Sequence, residues 1–269
     1  MLLEELVSIG FSEEEAKILA ESNGFHHKRK SSHELTDLFN KISGIYECSF
    51  EEVKRAILNF PPFAGLDHER VVRQGIAVYG DEDKVKRAIL NFPPFAGLDH
   101  ERVVRQGAEV YGDEDKVKRA ILNFPPFAGY DHERVVRQGI AVYGDEDKIK
   151  RAILNFPPFA GLDHERVVRQ KTRLGRIAGL TNEETIDYLL DIPVLAGYSA
   201  KRYLAAFDIG RQLKREGFPQ DDRMLEAFFS YISKSPYVPG TERKRISQVI
   251  SDKEPPLLKT MRKRLLKNF

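Results

Sequence analysis

The sequence has no tryptophan, three methionines and a single cysteine, Cys48. One cysteine excludes an internal disulfide framework and suits a reducing compartment. No apolar run approaches the ~20 residues that a membrane-spanning helix needs. The opening stretch Met1-Leu-Leu-Glu-Glu-Leu6 is acidic. It has neither the pattern of a signal peptide nor the arginine-rich character of a transit peptide, so a cytoplasmic setting is expected. Charge of one sign is lacking too, since 43 basic residues against 41 acidic ones leave +2. That balance alone selects no partner. No Walker loop, HExxH helix, CxxC pair or GxSxG elbow is present. The chain reads as non-enzymatic, with no cofactor and no metal.

What the chain does have is repetition. The stretch Val53 to Lys84 recurs from Val85, again from Val117, and in shortened form from Ile149, with Pro61, Pro93, Pro125 and Pro157 marking a 32-residue period. Such a period predicts an all-α solenoid of stacked helical units, because one unit alone cannot cover its own apolar stripe. Within a unit, Asp81-Glu82-Asp83 suits a helix N-terminus. Val85, Ala88, Ile89 and Phe92 then follow helical spacing. Pro93-Pro94 ends that helix and Phe95-Ala-Gly-Leu98 turns the chain. Asp99 is a good N-cap for a second helix, which turns Val103, Val104, Gly107, Val110 and Tyr111 inward and stops at Gly112. Gly107 costs about 1 kcal/mol against alanine in mid-helix, so close approach of a neighbouring helix is the expected reason for it. Copy two departs from copy one at Ala108 and Glu109, copy three at Tyr130, and copy four at Ile149. Uniformity of this degree fits recent expansion and deliberate engineering of the array alike.

The chain divides into an N-terminal helical cap (1–47), the four near-identical repeats (48–170), diverged longer repeats (171–254) and a basic C-terminal helix or tail (255–269). In the cap, residues 1–23 read as a helical hairpin with Ser12 and Glu15 as a capping box. Residues 24–33 read as a polar, basic loop, and Leu35 to Ile45 as a helix. Ile192-Pro193 to Arg202 overlays Phe60-Pro61 to Arg70 without a gap, and Ser235-Pro236 to Arg245 overlays the same stretch. The proline spacing widens to 36 and then 43 residues there, so the linking helices should lengthen. From Lys171 onward 19 basic residues face 12 acidic ones, an asymmetry that hints at an anionic partner.

Two patterns invite a functional reading. The four Asp-His-Glu-Arg runs could suggest metal or catalytic chemistry. However, adjacent helical residues do not face one another, and histidines of successive units would lie ~8–10 Å or more apart. They read instead as an N-cap followed by exposed first-turn residues. The second pattern is a ladder of arginines on the second helices: Arg70 and Arg73, Arg102 and Arg105, Arg134 and Arg137, Arg166 and Arg169. Stacking would set these guanidinium groups in a row suited to phosphates, unless neighbouring acids pair with them. Glu109 would neutralise part of the row in copy two. The clusters Arg243-Lys244-Arg245 and Arg262-Lys263-Arg264 add basic character at the C-terminus.

The unit of two helices broken at a proline resembles the repeat of the mitochondrial transcription termination factor (mTERF) family. Leu189-Leu-Asp-Ile-Pro193-Val-Leu195 and the lead-in Gly179-Leu-Thr-Asn-Glu-Glu184 are most similar to it, and Gly10-Phe-Ser-Glu-Glu-Glu15 matches that lead-in. The resemblance implies a superhelix with a short third helix per unit, binding RNA or DNA through a basic face in transcription or RNA metabolism. This chain departs from the pattern in its doubled prolines, the near-zero net charge of each repeat and its lack of a targeting segment. The other reading is a protein-interaction scaffold, as many helical solenoids are. Near-invariant copies argue against a base-by-base code.

Overall fold

The computed structural model of the chain describes residues 2–27, 30–177, 180–199 and 203. Those residues form helices and turns without a strand, the all-α repeat solenoid expected. The elements are α1 (Leu2–Ser8), α2 (Glu13–Glu21) and α3 (Ser32–Tyr46), followed by four helix pairs. The pairs are α4 and α5 (Phe50–Asn59, His68–Tyr79), α6 and α7 (Glu82–Asn91, His100–Tyr111), α8 and α9 (Glu114–Asn123, His132–Tyr143), and α10 and α11 (Glu146–Asn155, His164–Ile177). Helix α12 (Asn182–Asp191) opens the diverged region. The chain divides into two compact units, Met1–His164 and Glu165–Phe269.

Each pair is punctuated as its sequence dictates. The Asp81 carboxylate accepts a hydrogen bond from the Lys84 amide at 3.0 Å and caps α6. Asp99 does the same for the Arg102 amide at 3.1 Å and starts α7. Between them the prolines do more than break the chain, because Pro93–Gly97 is a short 3₁₀ helix. The same element recurs at Pro61–Gly65, Pro125–Gly129 and Pro157–Gly161. Proline is tolerated there because the first amides of a helix have no internal partner. The 3₁₀ helix carries the core phenylalanine, and Phe63, Phe95, Phe127 and Phe159 are wholly buried, worth about 2–3 kcal/mol each. Phe92, by contrast, is only half-buried at the helix end. Gly112 stops α7 in the left-handed region, at φ 75°.

In the first unit like packs on like. The first helices α4, α6, α8 and α10 touch in succession, as do the second helices α3, α5, α7 and α9 and the 3₁₀ turns. Gly107 has the expected role: a Cβ there would lie 2.6 Å from Val117 Cγ1 on α8. Gly75 and Val85 make the same close contact, and so do Gly139 and Ile149.

The N-terminal cap is itself a modified repeat. Helix α3 buries Leu35, Phe39, Ile42 and Tyr46, the register in which α5 buries His68, Val72, Gly75 and Tyr79. The predicted capping box at Ser12 and Glu15 is present, and two more occur at Ser31 with Glu34 and at Ser49 with Glu52. The segment expected to be a polar loop buries Phe25 completely. A Cβ on Gly24 would lie 2.8 Å from Pro62, and His27 Nε2 lies 3.0 Å from the Ala64 carbonyl oxygen. This loop therefore docks on the first 3₁₀ turn. Lys54 ties the cap to α4 through Glu15 at 2.8 Å and the Gly10 carbonyl at 3.0 Å.

In the second unit, α11 is longer than the earlier second helices, as the widened spacing predicts. The proline spacing grows there from 32 to 36 residues, about one helical turn, so the glycine contact reappears one turn on. A Cβ on Gly175 would overlap Thr185 Oγ1, ten residues along the chain as in Gly107 and Val117. The repeat at Pro236 and the tail 255–269 lie outside the described residues.

The glycine contact should dominate stability over glycine's flexibility. Gly107→Ala, though favoured by helix propensity, should cost about 1–3 kcal/mol by overpacking a stiff β-branched side chain. Gly97→Ala, with open space around it, should change stability by less than about 0.5 kcal/mol. Urea midpoints of the two variants, measured side by side, check this.

Candidate nucleic-acid interface

The second helices divide cleanly between an inner and an outer face. On α5, His68, Val71, Val72, Gly75 and Tyr79 are buried, while Glu69, Arg70, Arg73, Gln74 and Ala77 are exposed. Copies two and three repeat this, so Arg102, Arg105, Arg134 and Arg137 are exposed as well. No ion pair among the described residues uses any of these six arginines. In the second unit Arg166 and Arg169 are exposed on α11. The clusters Arg243-Lys244-Arg245 and Arg262-Lys263-Arg264 lie outside the described residues.

Five acids at the N-terminal ends of the first helices, Asp81, Glu82, Asp113, Glu114 and Glu146, are engaged by lysines one turn on. Lys84 meets Asp81 at 2.7 Å, Lys86 meets Glu82 at 2.7 Å, and Lys116 meets Asp113 at 2.8 Å. Lys118 pairs with Glu114 at 2.7 Å and Lys150 with Glu146 at 2.6 Å. Hydrogen bonds from the Lys84 and Lys116 side chains hold the Asp81 and Asp113 carboxyls below their ordinary pKa. The caps Asp67, Asp99 and Asp131 each accept one backbone amide. Two features oppose a purely basic surface. Glu109 is exposed one turn beyond Arg105, and residues 1–164 carry 22 basic side chains against 28 acidic ones.

The Asp-His-Glu reading needs one correction. Asp67 is the N-cap and Glu69 is exposed, as expected, but the histidines are not on the surface. His68, His100, His132 and His164 are only 5–6% exposed. The reason is register: His68 precedes Val71 by three and Val72 by four, which places it on the inner stripe. Each ring packs on its own repeat's phenylalanine, with centroids 4.6–4.8 Å apart. Each also meets a tyrosine of the preceding repeat, with centroids 5.4 Å apart. Tyr46, Tyr79 and Tyr111 place Oη 3.1, 3.4 and 3.5 Å from the Nδ1 of His68, His100 and His132. Burial pushes the His68 and His132 pKa down to about 4 and lowers those of His100 and His164. It raises those of the four tyrosines. No cluster of three potential metal ligands occurs among the described residues.

One buried charge belongs to none of the sequence motifs. Lys171 occupies the position of Gly75, Gly107 and Gly139 in the earlier copies and is 3% exposed. Its amine donates to the Tyr198 carbonyl and lies 4.9 Å from the centre of the Tyr203 ring. Burial pushes its pKa down to about 8. The alignment of Lys171 with the packing glycines was the available signal.

The chain matches no protein-family model and no curated protein. Among the described residues no helix is long and apolar enough to cross a membrane.

Lys171 gives a titration with a defined sign. Its amine titrates near 8 when folded and near 10.4 in an exposed chain, so the unfolded state binds more protons between those values. Stability should therefore rise as pH increases from about 8 to about 10.4. Lys171→Met should abolish that rise and stabilise the protein at pH 7 by roughly 1–2 kcal/mol. Urea denaturation of both proteins across pH 7–10.5 reads the difference.

Proposed function

We propose that this chain is a non-enzymatic helical-repeat protein that binds nucleic acid along the arginine ladder of its second helices. The observation that carries the reading is that Arg70, Arg73, Arg102, Arg105, Arg134 and Arg137 are exposed and free of carboxylate partners. Asp81, Glu82, Asp113, Glu114 and Glu146 at the starts of the first helices are already held by lysines. Guanidinium groups left open in this way are suited to bidentate contact with phosphate oxygens. Identical side chains in successive copies suit a repetitive backbone rather than a varied base sequence. The resemblance to mTERF repeats points the same way, toward transcription or RNA metabolism. A single half-buried cysteine suits the reducing cytoplasm.

A second reading, a scaffold for a protein partner, is favoured by the net negative charge of residues 1–164 and by Glu109 within the ladder. The two readings differ in salt dependence. Fluorescence anisotropy against single-stranded RNA, single-stranded DNA and duplex DNA at two salt concentrations should show submicromolar binding that weakens steeply with salt. Each neutralised phosphate steepens the logarithmic slope by about 0.7–0.9. Changing the eight repeat arginines (Arg70, Arg73, Arg102, Arg105, Arg134, Arg137, Arg166 and Arg169) to glutamine should flatten that slope. Absence of binding to all three probes at low salt would overturn the nucleic-acid reading and leave the protein scaffold.

A further inference from the structure

The arginine ladder leaves the most regular feature of the interior unused. Four junctions in the first unit repeat one arrangement: tyrosine from the preceding helix, histidine from the following one, and phenylalanine from the 3₁₀ turn between. At all four, His Nε2 is buried without a hydrogen-bond partner, and at His164 Nδ1 is unpartnered too. A neutral imidazole tolerates this site at modest cost. An imidazolium does not, because both ring nitrogens then carry protons and the one at Nε2 has no acceptor. Protonation also brings an unpaired charge into an apolar space. We propose that these clasps make the array acid-operated: as pH falls, the junctions part because opening lets the four imidazoles take up protons.

The charged groups around each imidazole do not reverse this. At the first junction the Phe63 backbone and then Asp67, on the histidine's own helix, favour the charged form, whereas Lys41 on α3 opposes it and is itself paired with Glu69 at 3.2 Å. At the other three the acting charges are Asp99, Asp131 and Asp163, each immediately before its histidine. In all four cases burial outweighs them. An exposed histidine titrates near 6.5, while His68 and His132 in the fold titrate at about 4. The unfolded chain therefore binds protons that the folded one refuses. Stability is complete above about 6.5 and declines as pH falls toward 4. Because each repeat is held only by its neighbours, four like junctions respond together. The device ends with the near-identical copies, since Ala200 stands where the next histidine would fall.

The test is urea unfolding of the full chain between pH 7.5 and 5, above the range in which carboxylates titrate. Each histidine that gains its proton only on opening steepens the unfolding constant by about tenfold per pH unit. A slope of three to four decades per unit is expected at the acid end. The variant with His68, His100, His132 and His164 all changed to glutamine should be nearly flat over the same interval. A flat wild-type profile, or an unchanged slope in the variant, would overturn the proposal. Should the variant not fold, the histidine C2–H resonances of the wild type decide. Four signals still neutral at pH 5 in the folded protein support the clasp, and midpoints near 6.5 refute it.

Discussion

Every repeat junction in the first unit depends on one shared space, filled by a phenylalanine from the 3₁₀ turn, a histidine from the helix that follows and a tyrosine from the repeat before. None of these rings is buried by its own repeat alone. The solenoid is therefore a sum of junctions rather than a single core. The N-terminal cap follows from the same constraint. Helix α3 must present Tyr46 to His68 as Tyr79 is presented to His100, and it does so with the same inner register. Unlike the later copies, it ends on a left-handed Glu47 at φ 52°, whose carboxylate meets Lys86 at 2.6 Å.

The glycine contacts set how closely successive helices approach, and they explain how the repeat length can change. A four-residue addition rotates the chain by little more than a full helical turn. The close approach of Gly175 to Thr185 thus survives the widened spacing. The original glycine position is then free to carry a larger residue, and Lys171 fills it. Its ammonium is accommodated by a backbone carbonyl and a tyrosine face rather than by a carboxylate. Other substitutions between copies are small by comparison, with Tyr130 reaching far enough to crowd Gly161 of the next turn.

Charge on the outer surface is sorted by helix. First helices carry acids at their N-termini and lysines one turn later, so these charges cancel locally through short-range pairs. The second helices α5, α7 and α9 carry arginines that the fold leaves without such pairs. Overall charge hides this arrangement, because residues 1–164 are net acidic while presenting open guanidinium groups at regular intervals. Exposed charges act over about a Debye length, ~8 Å at physiological ionic strength. A partner would therefore sense the local row more than the distant sum.

Much of this was legible in the residues themselves. Aspartate caps, proline breaks, stop glycines and helical spacing are local signals, and a 32-residue period repeated almost without change leaves little freedom in the architecture. The packing glycine was readable because a costly residue recurs at an inward position. The histidines were misread because their polarity was given more weight than their register, although His68, Val71, Val72 and Gly75 form one stripe. Whether Arg70 or Arg102 pairs with an acid could not be read from spacing, since several carboxylates lie within reach along the chain. By itself the sequence determined the helices, their ends and the need to stack, because those follow from contacts within a few residues. The tertiary structure alone decided which polar side chains are buried at the junctions and which charges stay open, because both depend on what the neighbouring repeat brings to the same space.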